Sequence, residues 1–212
     1  MSEHTFAFVD LAGFTALTEA HGDEEAVATL ARFRTITNAA LGTDGVLVKT
    51  IGDAVMLAFP SPDRAMAALR RMFDAAASDA NLPLIRAGAH HGSALAEGGD
   101  YFGASVNLAA RVAAQAGGGQ LLATSAVALA ARDAGEVVTH VGPTELRNIA
   151  APVDLYEISF HVSAETAVDP VCAMKVPIGD PATVHIHFGD RDFWFCGLPC
   201  VATFASAPER YL

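Results

Sequence analysis

Two carboxylates stand where a chain can hold them rigidly. Asp10 ends the apolar stretch Thr5–Val9 and opens the turn Asp10-Leu11-Ala12-Gly13-Phe14-Thr15. Asp53 closes the run Lys49-Thr50-Ile51-Gly52-Asp53 between two apolar stretches. At a strand end and a hairpin tip, two carboxylates that meet across adjacent strands form a hard-oxygen site for Mg²⁺. Each is also, taken singly, a common turn residue that bonds its own backbone. The turn holding Gly13, Phe14 and Thr15 runs into a helix start, where free backbone N–H groups suit phosphate. Asn107 and Arg111 lie four apart in VNLAAR and so share a helix face. A guanidinium beside an amide suits charge developing on phosphorus.

A second group of reactive side chains lies at the other end of the chain. All three cysteines, Cys172, Cys196 and Cys200, fall beyond residue 170. Cys196 and Cys200 form Cys-x3-Cys at a strand-to-helix step, with Cys172 upstream. Three thiolates can converge on Zn²⁺ or Cu⁺, and the same residues also suit small buried thiols in a mini-core. His185 and His187 alternate with Val184 and Ile186 on one strand face. Either could add a fourth ligand, although exposure is the expected state. His90 and His91 read as strand histidines without a chemical role. The aromatic run Phe193-Trp194-Phe195 reads as core.

Alternating strand and helix patterns must position these groups. Strands are expected at Thr5–Val9, Gly45–Lys49, Ala54–Phe59, Leu84–His90, Gln120–Ala123, Glu136–Val141 and Leu155–Phe160. Helices are expected at Phe14–Ala20, from Asp23 (as cap) to Leu41, from Ser61-Pro62 to Ala77, over Gly103–Ala116 and from Ser125. The order is the ferredoxin-like βαββαβ arrangement with extras, an α+β fold. The segment 161–168 (HVSAETAV) reads as a linker between a domain over 1–160 and a small Cys-containing module over 169–212.

Composition narrows the function classes. The chain has 212 residues, 52% hydrophobic and 17% charged, so disorder is excluded. Its net charge of −11 argues against nucleic acid or anionic membrane as partner, and a polyanionic substrate needs local positive charge or metal ions. No apolar run reaches the length of a membrane span. The start MSEHTFAFVD lacks a basic n-region, and cytoplasmic localisation is the expectation.

Four segments in order, FVDLAGFT, KTIGDAVMLAF, GDYFGASVNLAAR and GGGQLLATS, resemble the catalytic domain of class III nucleotidyl cyclases over residues 5–160. The resemblance implies two metal-binding aspartates, Asp10 and Asp53, that hold two Mg²⁺ or Mn²⁺ ions per active site. It implies a purine-selecting pair, Lys49 and Asp100, and transition-state residues Asn107 and Arg111. Gly13, Phe14 and Thr15 then face the triphosphate. Arg147, in ELRNIAAPV, is a candidate for a remaining phosphate contact, because the stretch His90-His91-Gly92-Ser93 lacks the basic residue some relatives carry there.

The implied reaction is attack of the ribose 3′-hydroxyl of ATP on the α-phosphorus, which gives cyclic AMP and pyrophosphate. Adenine accepts at N1 and donates at N6, whereas lysine only donates and an ionised aspartate only accepts. Lys49 and Asp100 therefore match ATP and mispair with GTP. The resemblance also implies a homodimer with two active sites shared between chains. Guanylate cyclase and a non-catalytic nucleotide-binding, metal-sensing protein remain alternatives. Residues 168–212 resemble a YHS domain, a relative of the TRASH metal-binding modules, through DPVCAM, Phe193-Trp194-Phe195 before Cys196, and FASAPERYL. This implies a Zn²⁺ or Cu⁺ site at the cysteines, and the fusion of such a module to a cyclase domain suggests a regulatory role for it.

Overall fold

The computed structural model describes residues 2–160 and 166–212. β1 (Ser2–Leu11) lies at the heart of an eight-stranded sheet. It is followed by helices α1 (Phe14–His21) and α2 (Asp23–Leu41), then the hairpin β2 (Val46–Ile51) and β3 (Ala54–Phe59). Next come α3 (Pro62–Ser78) and β4 (Ile85–Glu97). These four strands lie in the order β2-β3-β1-β4, with β1 antiparallel to both neighbours. That is the ferredoxin-like core read from the sequence.

The sheet extends beyond β4 through β6 (Leu121–Ala123), β8 (Val153–Ser159) and β7 (Val137–Thr144). Helices α4 (Ala104–Ala113) and α5 (Ser125–Asp133) connect them. A short strand, β5 (Asp100–Phe102), pairs with the extended tail of β4. The sequence reading missed it, because three residues carry no period of their own and the strand exists only through its partner.

Period-2 alternation in β1 divides the core. Ala7, Val9 and Leu11 pack with Phe33, Met66 and Leu69 of α2 and α3. Phe6 and Phe8 point the other way, into a cluster with Val106 and Ala109 of α4. Asp10 shares the parity of Phe6 and Phe8, so the strand aims it toward the α4 side.

Local details follow the residue chemistry. Pro62 opens α3, and the Ser61 hydroxyl accepts from the Arg64 N–H at 3.4 Å. Asp23 is the first helical residue of α2 rather than its cap. Gly22 occupies the cap at φ 85, and Asp23, Glu24 and Glu25 load the first turn with favourable charge.

The C-terminal part contains β9 (Thr166–Val168), β10 (Lys175–Pro177), β11 (Val184–Phe188), β12 (Arg191–Phe195) and α6 (Leu198–Ser206). They form two small hairpin sheets, β9 with β10 and β11 with β12. Thr166–Val168, expected at the end of a linker, is thus a strand, and residues 161–165 of that linker lie outside the described residues. Phe193, Phe195 and Phe204 pack with Cys172 and Cys200, and this core also takes in Leu17 of α1 and Ala26 of α2. The aromatic run therefore supplies core at Phe193 and Phe195, with Trp194 half-buried and stacked on His185. Among the described residues no helix is long and apolar enough to cross a membrane.

Helix α4 crosses β4 at Gly88, where an added Cβ would overlap the Ala113 backbone. Gly88→Ala must lift the helix from the sheet. We expect it to cost about 1–3 kcal/mol, the range of overpacked cores. The check is a lower urea midpoint at unchanged m-value.

Candidate active site

The register of β1 brings the first carboxylate to its partners. Asp10 lies opposite Ala54 of β3 and Arg86 of β4. The β2–β3 hairpin turns on Gly52, at φ 63, and Asp53, which places Asp53 next to Ala54. The Arg86 guanidinium donates to Asp10 Oδ2 from Nη2 at 2.6 Å and from Nε at 3.0 Å. Asp10 Oδ1 is buried and has no hydrogen-bond partner among the described residues. Burial, and then the charge of Asp10, raises the Asp53 carboxyl above the usual carboxylate range. A buried, unpartnered carboxylate oxygen next to a second carboxyl is a donor set that fits Mg²⁺ or Mn²⁺. Arg86 escaped the sequence reading, since only the β1–β4 register shows that it faces Asp10.

The turn after Asp10 is held from outside. Gly13 sits in the left-handed region at φ 68 and caps α1, and an added Cβ would lie 3.0 Å from the Cys172 carbonyl carbon and oxygen. Glycine is thus required there both by conformation and by space. Phe14 is half-buried and Thr15 exposed at the helix start.

Lys49 and Asp100 come together from edge strand β2 and strand β5, with Lys49 Nζ donating to Asp100 Oδ2 at 2.5 Å. The Lys49 hydrogen bond, and then the Tyr101 N–H, holds the Asp100 carboxyl below its ordinary range. Lys49 Nζ also stands 5.8 Å from the centre of the Phe102 ring. On α4, Val106, Ala109 and Val112 are buried, while Asn107 is exposed and Arg111 half-buried.

The sequence-predicted residues thus lie on different elements: Asp10 and Asp53 at the end of β1 and the β2–β3 turn, Lys49 with Asp100 on β2 and β5, and Asn107 and Arg111 on α4. Arg147 is exposed in the β7–β8 loop, on a different segment from all of these. His90 Nδ1 lies 2.8 Å from the Thr124 hydroxyl, and His91 Nδ1 lies 3.0 Å from that of Thr5.

The three cysteines converge as expected, but with a different histidine. One ligand atom from each of His21, Cys172, Cys196 and Cys200 lies within 4.8 Å of every other. Cys196 Sγ is 3.5 Å from Cys172 Sγ, 3.6 Å from Cys200 Sγ and 3.3 Å from His21 Nε2. His185 and His187 instead both contact Asp192 Oδ1, at 2.8 and 3.0 Å, on an exposed hairpin. His21 is the last residue of α1, and no local motif ties it to cysteines at the far end of the chain. The Cys196 thiol is pushed up by its hydrogen bond with Cys172 and by burial, and those of Cys172 and Cys200 are displaced the same way.

Residues 1–159 match the family described as "Adenylate and Guanylate cyclase catalytic domain". The chain belongs to that family. A relative from Mycobacterium tuberculosis (strain CDC 1551 / Oshkosh), "pH-sensitive adenylate cyclase MT1302", is 35% identical over 158 residues, which are 73% of this chain and 40% of the relative. "Adenylate cyclase" of Streptomyces griseus is 36% identical over 106 residues, 50% of this chain and 27% of the relative. The chain thus matches less than half the length of these relatives.

Among solved structures, adenylate cyclases from Trypanosoma brucei "in their monomeric state" align with TM-score 0.68 at 23% identity, covering 74% of this chain and 90% of theirs. The guanylate cyclase domain of RhGC from Catenaria anguillulae, in complex with GTP, aligns with TM-score 0.64 at 18% identity, covering 74% and 96%. These structural likenesses establish the fold.

Arg86→Ala should leave the two carboxylates without their counter-charge. The pair is partly exposed, so the expected loss is about 1–2 kcal/mol, between surface and buried pairs. Mg²⁺ should raise the thermal midpoint of the variant more than that of the parent. An equal Mg²⁺ effect on both would contradict this role for Arg86.

Proposed function

We propose that the protein is an adenylate cyclase, with catalysis in residues 1–160 and a YHS-type module after residue 168. The observation that carries the adenine reading is the meeting of Lys49 and Asp100, 51 positions apart, at one sheet edge. A donor and an acceptor thus stand side by side, spaced to read one base edge. Lys49 donates to adenine N1 and Asp100 accepts from N6, whereas guanine would leave both mispaired at about 1–3 kcal/mol each.

The other residues take roles around the triphosphate. The backbone N–H groups from Gly13 to Thr15 face the phosphates at a helix start. Asn107 orients the ribose so that its 3′-oxygen stands in line with the α-phosphorus. The new 3′-oxygen–phosphorus bond forms as the α-phosphorus–oxygen bond to pyrophosphate breaks, and the hydroxyl proton passes to solvent. Arg111 stabilises the charge that builds on the phosphorus oxygens. Asp10 and Asp53 would hold Mg²⁺ or Mn²⁺, which, when bound, supplies Lewis acidity toward the hydroxyl and the phosphates.

Membership of the cyclase family supports a homodimer with shared sites. One chain supplies Asp10 and Asp53, its partner supplies Lys49, Asp100, Asn107 and Arg111, and two-fold symmetry gives two such sites.

The test is cyclic AMP formation from ATP by the full-length protein with Mg²⁺ or Mn²⁺. Asp53→Ala should abolish it, and Arg111→Ala should lower kcat by about 10²–10³-fold. A folded, dimeric protein that makes no cyclic AMP with either ion would leave nucleotide binding without turnover as the better reading. Lys49→Glu with Asp100→Ser reverses the donor pattern, and the GTP-to-ATP ratio of kcat/KM should rise by at least about 30-fold. Mixing equal amounts of Asp53→Ala and Arg111→Ala chains should restore about a quarter of parental activity, since half the dimers then carry one intact site. No recovery on mixing would refute the shared site.

A further inference from the structure

His21, Cys172, Cys196 and Cys200 surround a single point, and they come from both parts of the chain. A Zn²⁺ ion with sulfur at about 2.3 Å and nitrogen at about 2.0–2.1 Å makes a tetrahedron with edges near 3.6–3.8 Å. Four of the six edges are 3.5 and 3.6 Å between sulfurs, and 3.3 and 3.7 Å from sulfur to His21 Nε2, and the two from Cys172 to Cys200 and to His21 lie within 4.8 Å. Sulfurs joined in a disulfide would stand at about 2.05 Å, and all three cysteines are free.

The surroundings look built for the cluster. Asp169 is fully buried, and its carboxylate spans both cysteine loops. Oδ1 accepts from the N–H groups of Val171 at 2.8 Å and Cys172 at 3.4 Å, and Oδ2 accepts from that of Cys196 at 2.8 Å. This fixes the backbone of two ligands, as outer partners do in metal sites. A surface cavity of about 190 Å³ lined by Leu17, His21, Glu25, Met174 and Cys196 gives an ion a route in.

We propose that these four residues bind one Zn²⁺ in a closed tetrahedral site whose fourth ligand, His21, belongs to the catalytic domain. Three thiolates and an imidazole are a structural zinc set, while Cu⁺ favours the softer sulfur ligands alone. The ion therefore staples the C-terminal module to the end of α1. The other end of this eight-residue helix is the Gly13 turn against which Cys172 rests. The site stands whether or not the protein turns over ATP.

The test uses the full-length protein freed of metal and titrated with Co²⁺, then Zn²⁺. The expected result is one Co²⁺ per chain, with the intense visible bands of a tetrahedral thiolate site, displaced stoichiometrically by Zn²⁺. His21→Ala should weaken Zn²⁺ binding at least about 10-fold and alter the cobalt bands as water replaces the imidazole. His21→Cys should restore tight binding with a more sulfur-rich spectrum. The absence of tetrahedral cobalt bands would overturn the proposal, as would one ion per two chains. A His21→Ala spectrum and affinity equal to the parent's would do the same. Should His21→Ala fail to fold, a His21→Cys spectrum identical to the parent's would refute the ligand assignment. Since none of these readouts needs cyclic AMP, an inactive protein with the cobalt spectrum would sink the cyclase reading and leave this one standing.

Discussion

Two carboxyls, Asp10 and Asp53, meet in one partly buried place, where burial and then the charge of Asp10 disfavour the ionised form of Asp53. The fold meets this in two ways. Arg86 engages one oxygen of Asp10 with two N–H donors, and Asp53 is displaced toward its protonated form. Both depend on β1. Its neighbour β3 brings Asp53 to one side of Asp10 and its neighbour β4 brings Arg86 to the other. A one-residue slip in β1 would turn Asp10 into the apolar layer beneath α2 and α3.

The two faces of the sheet have different tasks. The face under α2 and α3 holds the larger apolar cluster, with Phe33, Met66, Leu69 and Met72. The α4 face is thinner and carries the polar groups at its margins. Gly88 lets α4 lie against β4, so a helix with small buried residues can still present Asn107 and Arg111 outward.

What could be read from the sequence was mostly local. The range of α2, Asp23–Leu41, follows from periodicity and an acidic first turn, and the hairpin at Gly52-Asp53 from its turn residues. The ferredoxin-like order and the family followed from motifs that each lie within a dozen residues. What stayed hidden depends on distant pairing. β5 needs the tail of β4, and Arg86 needs its register with Asp10. His21 becomes a partner of the cysteines only when Leu17 and Ala26 pack against Phe195 and Cys200. His185 and His187 were the nearer histidines in sequence, but the β11–β12 pairing joins them to Asp192 instead.

Lys175 sits in the C-terminal part, yet its ammonium is buried beneath α3 and donates to the Ala76 carbonyl. Pro83 forms a bridge with Met174, and the Leu84 N–H bonds the Ala173 carbonyl at 3.0 Å. The boundary near residue 160 is therefore a seam in composition and not in cooperativity. Heating should melt both parts in one transition, and a chain cut at that boundary would expose apolar surface around Leu17 and leave the Ala76 carbonyl without its donor.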